Sequence, residues 1–132
     1  MKQGCSLSPL VYILVAEIID IKLRKSEEFQ GICLEKIDKP DIYVKLTQLA
    51  DDTTFFCLNK NDAKNALKIV ENFGSFSGLK LNRLKTECLC VGNTKHSKEN
   101  IDDVKFSKQV KALCIIFGHD DETCSLKYWE NH

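Results

Sequence analysis

A chain of 132 residues is long enough to bury one genuine core and fits a single domain. With 43% hydrophobic and 29% charged residues it has the composition of an ordinary globular protein, and a formal net charge of +0 means that bulk electrostatics announce no nucleic-acid binder. Seven cysteines are many for this length, but the number is odd, the spacing irregular and no CxxC pair occurs. That pattern argues against a regular disulfide framework and for a reducing, intracellular compartment.

The chain opens on Lys2-Gln3-Gly4-Cys5-Ser6-Leu7-Ser8-Pro9. Gly4 permits a close backbone approach and the Gln3 amide can reach a base or sugar edge, although a polar loop leading into a helix explains the same residues. The apolar run over residues 9–21 is interrupted by Glu17 and Asp20 and is too short to span a bilayer, whose core takes about 20 apolar residues. No signal peptide is legible, because one Lys2 precedes the run and no small-residue cleavage site follows it. The run reads as a buried helix with Ser8 as N-cap, Pro9 at the first helical position, and Leu10, Ile13, Leu14, Glu17 and Ile21 at helical spacing.

Residues 29–37 read as a short strand with Gly31 at a bulge, and Asp38-Lys39-Pro40-Asp41 as a turn. Ile42, Val44 and Leu46 then alternate with Tyr43, Lys45 and Thr47, and Thr54-Phe55-Phe56-Cys57-Leu58 is rich in β-formers. Between these two strands, Asp51-Asp52 fills the two-residue gap of a hairpin. Two carboxylates on one tip repel each other, and a divalent cation relieves the repulsion. The plainer reading is a solvated turn, as expected for Asp102-Asp103 and Asp120-Asp121 in their polar surroundings, whereas only Asp51-Asp52 has strand-like sequence on both sides.

Asn61-Asp62 opens an amphipathic helix through Ser75, with Ala63, Ala66, Leu67, Val70 and Phe73 on one face and Gly78 as its exit. A connector over residues 79–86 leads to a strand over 87–91, a polar loop over 92–103, a last pair of strands at 104–106 and 110–117, and a polar tail over 119–132. The order predicts an α+β domain, an antiparallel sheet with helices packed on one face. Cys88 and Cys90 share a strand face and offer two metal ligands, but no second pair completes a tetrahedral zinc site. Lys80, Arg83, Lys85, Lys95, Lys98, Lys105, Lys108 and Lys111 gather after the hairpin, diluted by Glu87, Glu99, Asp102 and Asp103. They suit either a phosphate-facing patch or a solvated surface.

Lys2-Gln3-Gly4-Cys5-Ser6-Leu7-Ser8-Pro9, then Ala50-Asp51-Asp52-Thr53-Thr54, then Ser77-Gly78-Leu79-Lys80-Leu81-Asn82 with Lys85-Thr86-Glu87, resemble the reverse transcriptases of non-LTR (LINE-type) retrotransposons. Residues 110–118 are similar to the strand that follows in that family, so the resemblance runs from Lys2 to Gly118. It implies a truncated polymerase palm over residues 1–118 and RNA-directed DNA synthesis by two-metal nucleotidyl transfer with Mg²⁺. By the same resemblance Asp51 is a principal metal ligand and Asp52 a weaker one, Lys85 faces the triphosphate, and Gln3 and Gly4 line the incoming nucleotide and template. The implied partners are an RNA template and a DNA primer.

Departures from the family pattern set further expectations. The family's first carboxylate lies on a strand upstream of the Gln-Gly motif, outside these residues, as do its fingers and thumb. Leu49 stands where an aromatic residue is usual, and Cys5-Ser6 where Cys-Pro is common. Negligible polymerase activity is therefore expected of the isolated chain, with an open sheet edge suited to self-association or to a protein partner. Two alternatives stay open: a non-catalytic interaction module using that edge, and a nucleic-acid-binding remnant using the basic segment from Lys80 to Lys111.

Overall fold

The computed structural model describes residues 6–34, 41–49, 52–92, 101, 103–112 and 115–118. Their order is α1 (Ser8–Lys25), β1 (Ile32–Leu34), β2 (Ile42–Val44), β3 (Leu46–Leu49), β4 (Asp52–Phe55), α2 (Lys60–Ser77), β5 (Glu87–Cys88), β6 (Lys105–Phe106), β7 (Gln109–Ala112) and β8 (Ile115–Gly118). The mixed α+β class is as the sequence predicts. Among the described residues the strands form four two-stranded pairs, β1–β2, β3–β4, β5–β6 and β7–β8. Two compact units result: described residues up to 47 with 55–81, and residues 48–54 with those from 82 onward.

In the first unit α1 packs on α2, and Ile19, Leu23, Phe29, Leu46, Ala66 and Phe73 form the core. Phe29 is wholly buried and meets the Phe55 ring edge-on at 6.1 Å between centroids. Each such side chain contributes about 1.5–3 kcal/mol by leaving water.

The expectation of a buried α1 is overturned. Ile19 and Leu23 are buried, with Val15 packed beside them, while Leu10, Ile13, Leu14 and Ile18 are each more than half exposed and Ile21 is exposed as well. The helix is apolar nearly all round, so spacing alone could not tell which face meets the core. The stripe at Val15, Ile19 and Leu23 lies opposite the Leu10, Ile13, Leu14 and Ile21 side. The N-terminus also moves by one residue. Ser8 is already helical, Leu7 is the N-cap without a side-chain cap bond, and the Val11 N–H donates to the Leu7 carbonyl at 3.0 Å.

Lys45 closes the other end of α1. Its ammonium donates to the carbonyls of Arg24 at 2.9 Å and Ser26 at 2.8 Å and lies 5.8 Å from the centroid of the Phe29 ring. These carbonyls have no partner within the helix, and a cation suits the negative end of its dipole. Lys45 also divides the alternating run read as one strand. Residues 42–44 pair antiparallel with β1, in register Ile32↔Val44, Cys33↔Tyr43 and Leu34↔Ile42, whereas β3 pairs with β4.

Gly31 precedes β1 rather than bulging within the strand. It holds φ +77°, and a Cβ built there would stand 2.5 Å from the Val44 carbonyl oxygen. Only glycine suits both the dihedral and the space.

The second helix follows its sequence signals closely. Ala66, Leu67 and Phe73 are buried, Ala63 and Val70 half-buried, and Gly78 ends it in the left-handed region at φ 75°. It begins a turn-residue earlier than expected, at Lys60, because the Asn59 side chain accepts the Asp62 N–H at 2.9 Å as N-cap. Asp62 itself is buried. Its Oδ1 accepts the Gln30 N–H at 2.7 Å, and its Oδ2 accepts those of Gly31 at 3.1 Å and Leu58 at 3.0 Å.

In the second unit β5 and β6 run parallel, with Glu87 opposite Lys105 and Cys88 opposite Phe106, a departure from an all-antiparallel arrangement. The Ser107 N–H donates to the Cys88 carbonyl at 2.9 Å, and its hydroxyl to Glu87 Oε1 at 2.8 Å. Ile101 and Val104 are buried and bridged, and Asp103 between them takes φ 67° in an exposed turn. Residues 110–117, read as one strand, are two. β7 and β8 pair antiparallel with Val110 opposite Phe117. Residues 113–114 are Leu-Cys and carry no turn signal. Among the described residues no helix is long and apolar enough to cross a membrane.

Candidate active-site hairpin

The Asp-Asp hairpin is built from its base upward. Leu46 is buried in the core and Phe55 packs against it, and the Phe56 N–H donates to the Lys45 carbonyl at 2.8 Å to tie the two strands. Burial then falls away along both strands. Thr47, Gln48 and Leu49 are exposed, as are Asp52 and Thr53, while Thr54 and Phe55 are half-buried. An apolar base thus holds a solvated two-stranded tip.

β3 ends at Leu49, and Asp52, read in the sequence as half of a two-residue gap, is the first residue of β4. The Asp52 carboxylate is exposed, so it carries no desolvation penalty. Asp51, Gln3 and Gly4, three of the residues singled out in the sequence, lie outside the described residues.

Lys85 ends a turn organised by Asn82. The Asn82 carbonyl accepts the Lys85 N–H at 3.1 Å and the Thr86 N–H at 3.0 Å, and it also accepts the Thr86 hydroxyl at 2.8 Å. The Asn82 side-chain oxygen accepts the same Lys85 N–H at 3.2 Å. These four bonds fix the backbone from which the exposed Lys85 side chain projects. Asn82, which carried no role in the sequence motif that holds it, thus organises this turn. Among the described residues, Asp52 and Lys85 make no ion pair with each other.

Carboxylate oxygens in water are the donor type that hard divalent cations prefer, so Asp52 fits such an ion chemically. Among the described residues no group of three or more His, Cys, Asp or Glu side chains is gathered to hold one. The exposure of Lys80, Lys85, Lys105, Lys108 and Lys111 makes each available to solvent phosphates. Cys88 and Cys90, by contrast, are half-buried. Burial, then the neighbouring Cys90, pushes the Cys88 thiol up to about 11.

The family model described as "Reverse transcriptase (RNA-dependent DNA polymerase)" matches residues 1–117. The chain belongs to the reverse transcriptase family, whose members in general use divalent metal and act on a nucleic-acid template and primer.

Proposed function

We propose that this chain is part of the palm of a non-LTR (LINE-type) retrotransposon reverse transcriptase, spanning residues 1–118 with a polar tail at 119–132, and that it works inside the cell. The observation that carries the reading is Asp52, exposed as the first residue of β4, a strand paired with β3. Asp51 and Asp52 are the proposed ligands of Mg²⁺, which when bound supplies charge neutralisation at the reacting phosphates. The ammonium of Lys85 offsets triphosphate charge or gives a proton to the leaving group, and the Asn82 turn fixes where it starts. Gln3 and Gly4 are proposed to line the incoming nucleotide and template, an RNA template with a DNA primer.

The isolated 132-residue chain is proposed to have negligible polymerase activity. Two adjacent carboxylates leave most of a six-oxygen shell to water. Primer extension on an RNA template with Mg²⁺ or Mn²⁺ tests this: no extension is expected. Extension that disappears in Asp51→Ala overturns it.

A second reading, a non-catalytic interaction module, is favoured by the exposed Leu10, Ile13, Leu14 and Ile18 face of α1 together with strand pairs that have open edges. Its proposed partner is a second copy of the chain. Sedimentation at rising concentration is expected to show association that Leu14→Lys weakens, and a monomer at every concentration excludes it. Nucleic-acid binding through the segment from Lys80 to Lys111 predicts affinity falling steeply with salt, and salt-insensitive binding excludes it.

A further inference from the structure

The exposed apolar side chains of α1 are not scattered. Leu7, Val11, Leu14, Ile18 and Ile21 are each 42% to 65% exposed, and they recur at alternating steps of four and three residues. That 3.5-residue period is the spacing of the seam along which two helices supercoil. A surface helix needs one apolar stripe for its own core, and α1 already has one in Ile19 and Leu23, with Val15 beside them. The second stripe faces solvent.

The charges beside it say what fits. In heptad terms Leu7, Leu14 and Ile21 take the d positions, and Val11 and Ile18 the a positions. Glu17 then stands at g and Lys22 at e, on opposite flanks of the stripe. Along its own helix Glu17 has Ile13, Leu14, Asp20 and Ile21 at the three- and four-residue spacings, and Lys22 has Ile18, Ile19, Lys25 and Ser26. Neither finds an opposite charge where helical neighbours meet. Asp20 and Arg24, in contrast, satisfy each other at 2.7 Å. In a parallel pair, a g residue meets the e residue five positions on in the other helix, and Glu17 and Lys22 are five apart. Twofold symmetry makes that contact twice. An antiparallel pair would set g against g, where the one cation is Arg24, already held by Asp20.

We infer, resting on the interaction-module reading, that α1 is a docking seam for a second copy of this chain, aligned parallel, with Glu17 of each copy paired to Lys22 of the other. The seam runs about 21 Å from Leu7 to Ile21 at 1.5 Å per residue, so the dimer is a weak and reversible one.

Single charge reversals test this on the full chain by sedimentation equilibrium. In Glu17→Lys both g–e contacts of the homodimer become pairs of lysines, and in Lys22→Glu pairs of glutamates. Each variant alone is expected to dimerise roughly 10-fold more weakly than wild type at low salt, because two exposed contacts turn from attraction to repulsion. Mixing the two variants restores opposite charges at both contacts, and the mixture is expected to recover wild-type association. Damage to the fold cannot produce that recovery, since each variant enters the mixture unchanged. High salt should erase the difference between variants and mixture. A mixture no better than either variant alone, or association indifferent to Leu14→Lys, overturns the parallel seam while association through open strand edges, and with it the interaction-module reading, survives. A wild type that stays monomeric at every concentration overturns both.

Discussion

The Asp62 carboxylate accepts the Gly31 N–H at 3.1 Å across 31 residues of sequence, so that one side chain at the start of α2 holds the entry to β1. The same carboxylate takes the N–H groups of Gln30 and Leu58. Among the described residues no buried side-chain polar atom lacks a partner. Buried N–H groups left unpaired cost about 1–3 kcal/mol each, so this single acid secures more than a cap. Asp62→Ala is expected to lower stability by about 3 kcal/mol, read as a lower urea midpoint with the transition still cooperative. Asp62→Asn keeps one acceptor oxygen and should lose about half as much.

Gly31 and Gly78 separate two effects of one substitution. Both hold positive φ, +77° and +75°, but a Cβ at Gly31 meets the Val44 carbonyl oxygen at 2.5 Å, whereas one at Gly78 meets nothing within 4 Å. Gly78→Ala should cost about 1 kcal/mol, the penalty of left-handed backbone alone. Gly31→Ala adds displacement of β2 backbone and should cost about 3 kcal/mol or more. Equal urea midpoints for the two variants would show that the close approach at Gly31 is without consequence.

Lys45 and Arg24 offer a comparison of two cations on one helix end. Lys45 donates to two terminal carbonyls of α1 and is half-buried, whereas the 2.7 Å pair of Arg24 with Asp20 is an exposed i,i+4 contact. Lys45→Met keeps most of the apolar stem and removes both bonds, and about 1–2 kcal/mol should be lost. Asp20→Asn should change stability by less than about 0.5 kcal/mol and become undetectable in high salt. Thermal unfolding of both variants at two salt concentrations checks the contrast.

How much of this was legible depends on how asymmetric each segment is. The face and exit of α2 were read correctly because Ala66, Leu67 and Phe73 stand against charged neighbours and Gly78 punctuates the end. Helix α1 lacks that contrast, and the residues read at helical spacing in a buried helix, Leu10, Ile13, Leu14, Glu17 and Ile21, are exposed. The hairpin was legible from its alternation, but Asp52, read as part of the turn, already belongs to β4. Register at a two-residue turn is set by the strand pairing, which sequence does not fix to one position. Asp62 read as a helix opener only. Its partners Gln30 and Gly31 lie in another part of the chain, and no local pattern connects them. Of the candidate site, residues 79–86 read only as a connector, and the turn before Lys85 was visible only once the bonds of Asn82 were seen.

Stability should depend on pH through Cys88. Burial, and after it the Cys90 thiol, pushes Cys88 up to about 11 from an ordinary 9.0. In the unfolded chain the thiol loses its proton at the lower of these values, and in the folded chain at the higher. Between pH about 9 and about 11 the unfolded state therefore holds fewer protons, and stability falls as pH rises through that window. Below it the contribution is fully present. The exposed Tyr43 phenol, raised by the Cys33 thiol first, acts with the same sign, so wild type alone does not isolate Cys88. Cys88→Ala should flatten the alkaline decline in urea midpoint while leaving the Tyr43 part. Iodoacetamide, which attacks the thiolate, should label Cys88 in the folded chain more slowly at pH about 8 than it labels the urea-unfolded chain. Equal labelling rates in the two states, or an alkaline decline as steep in Cys88→Ala as in wild type, would contradict the assignment.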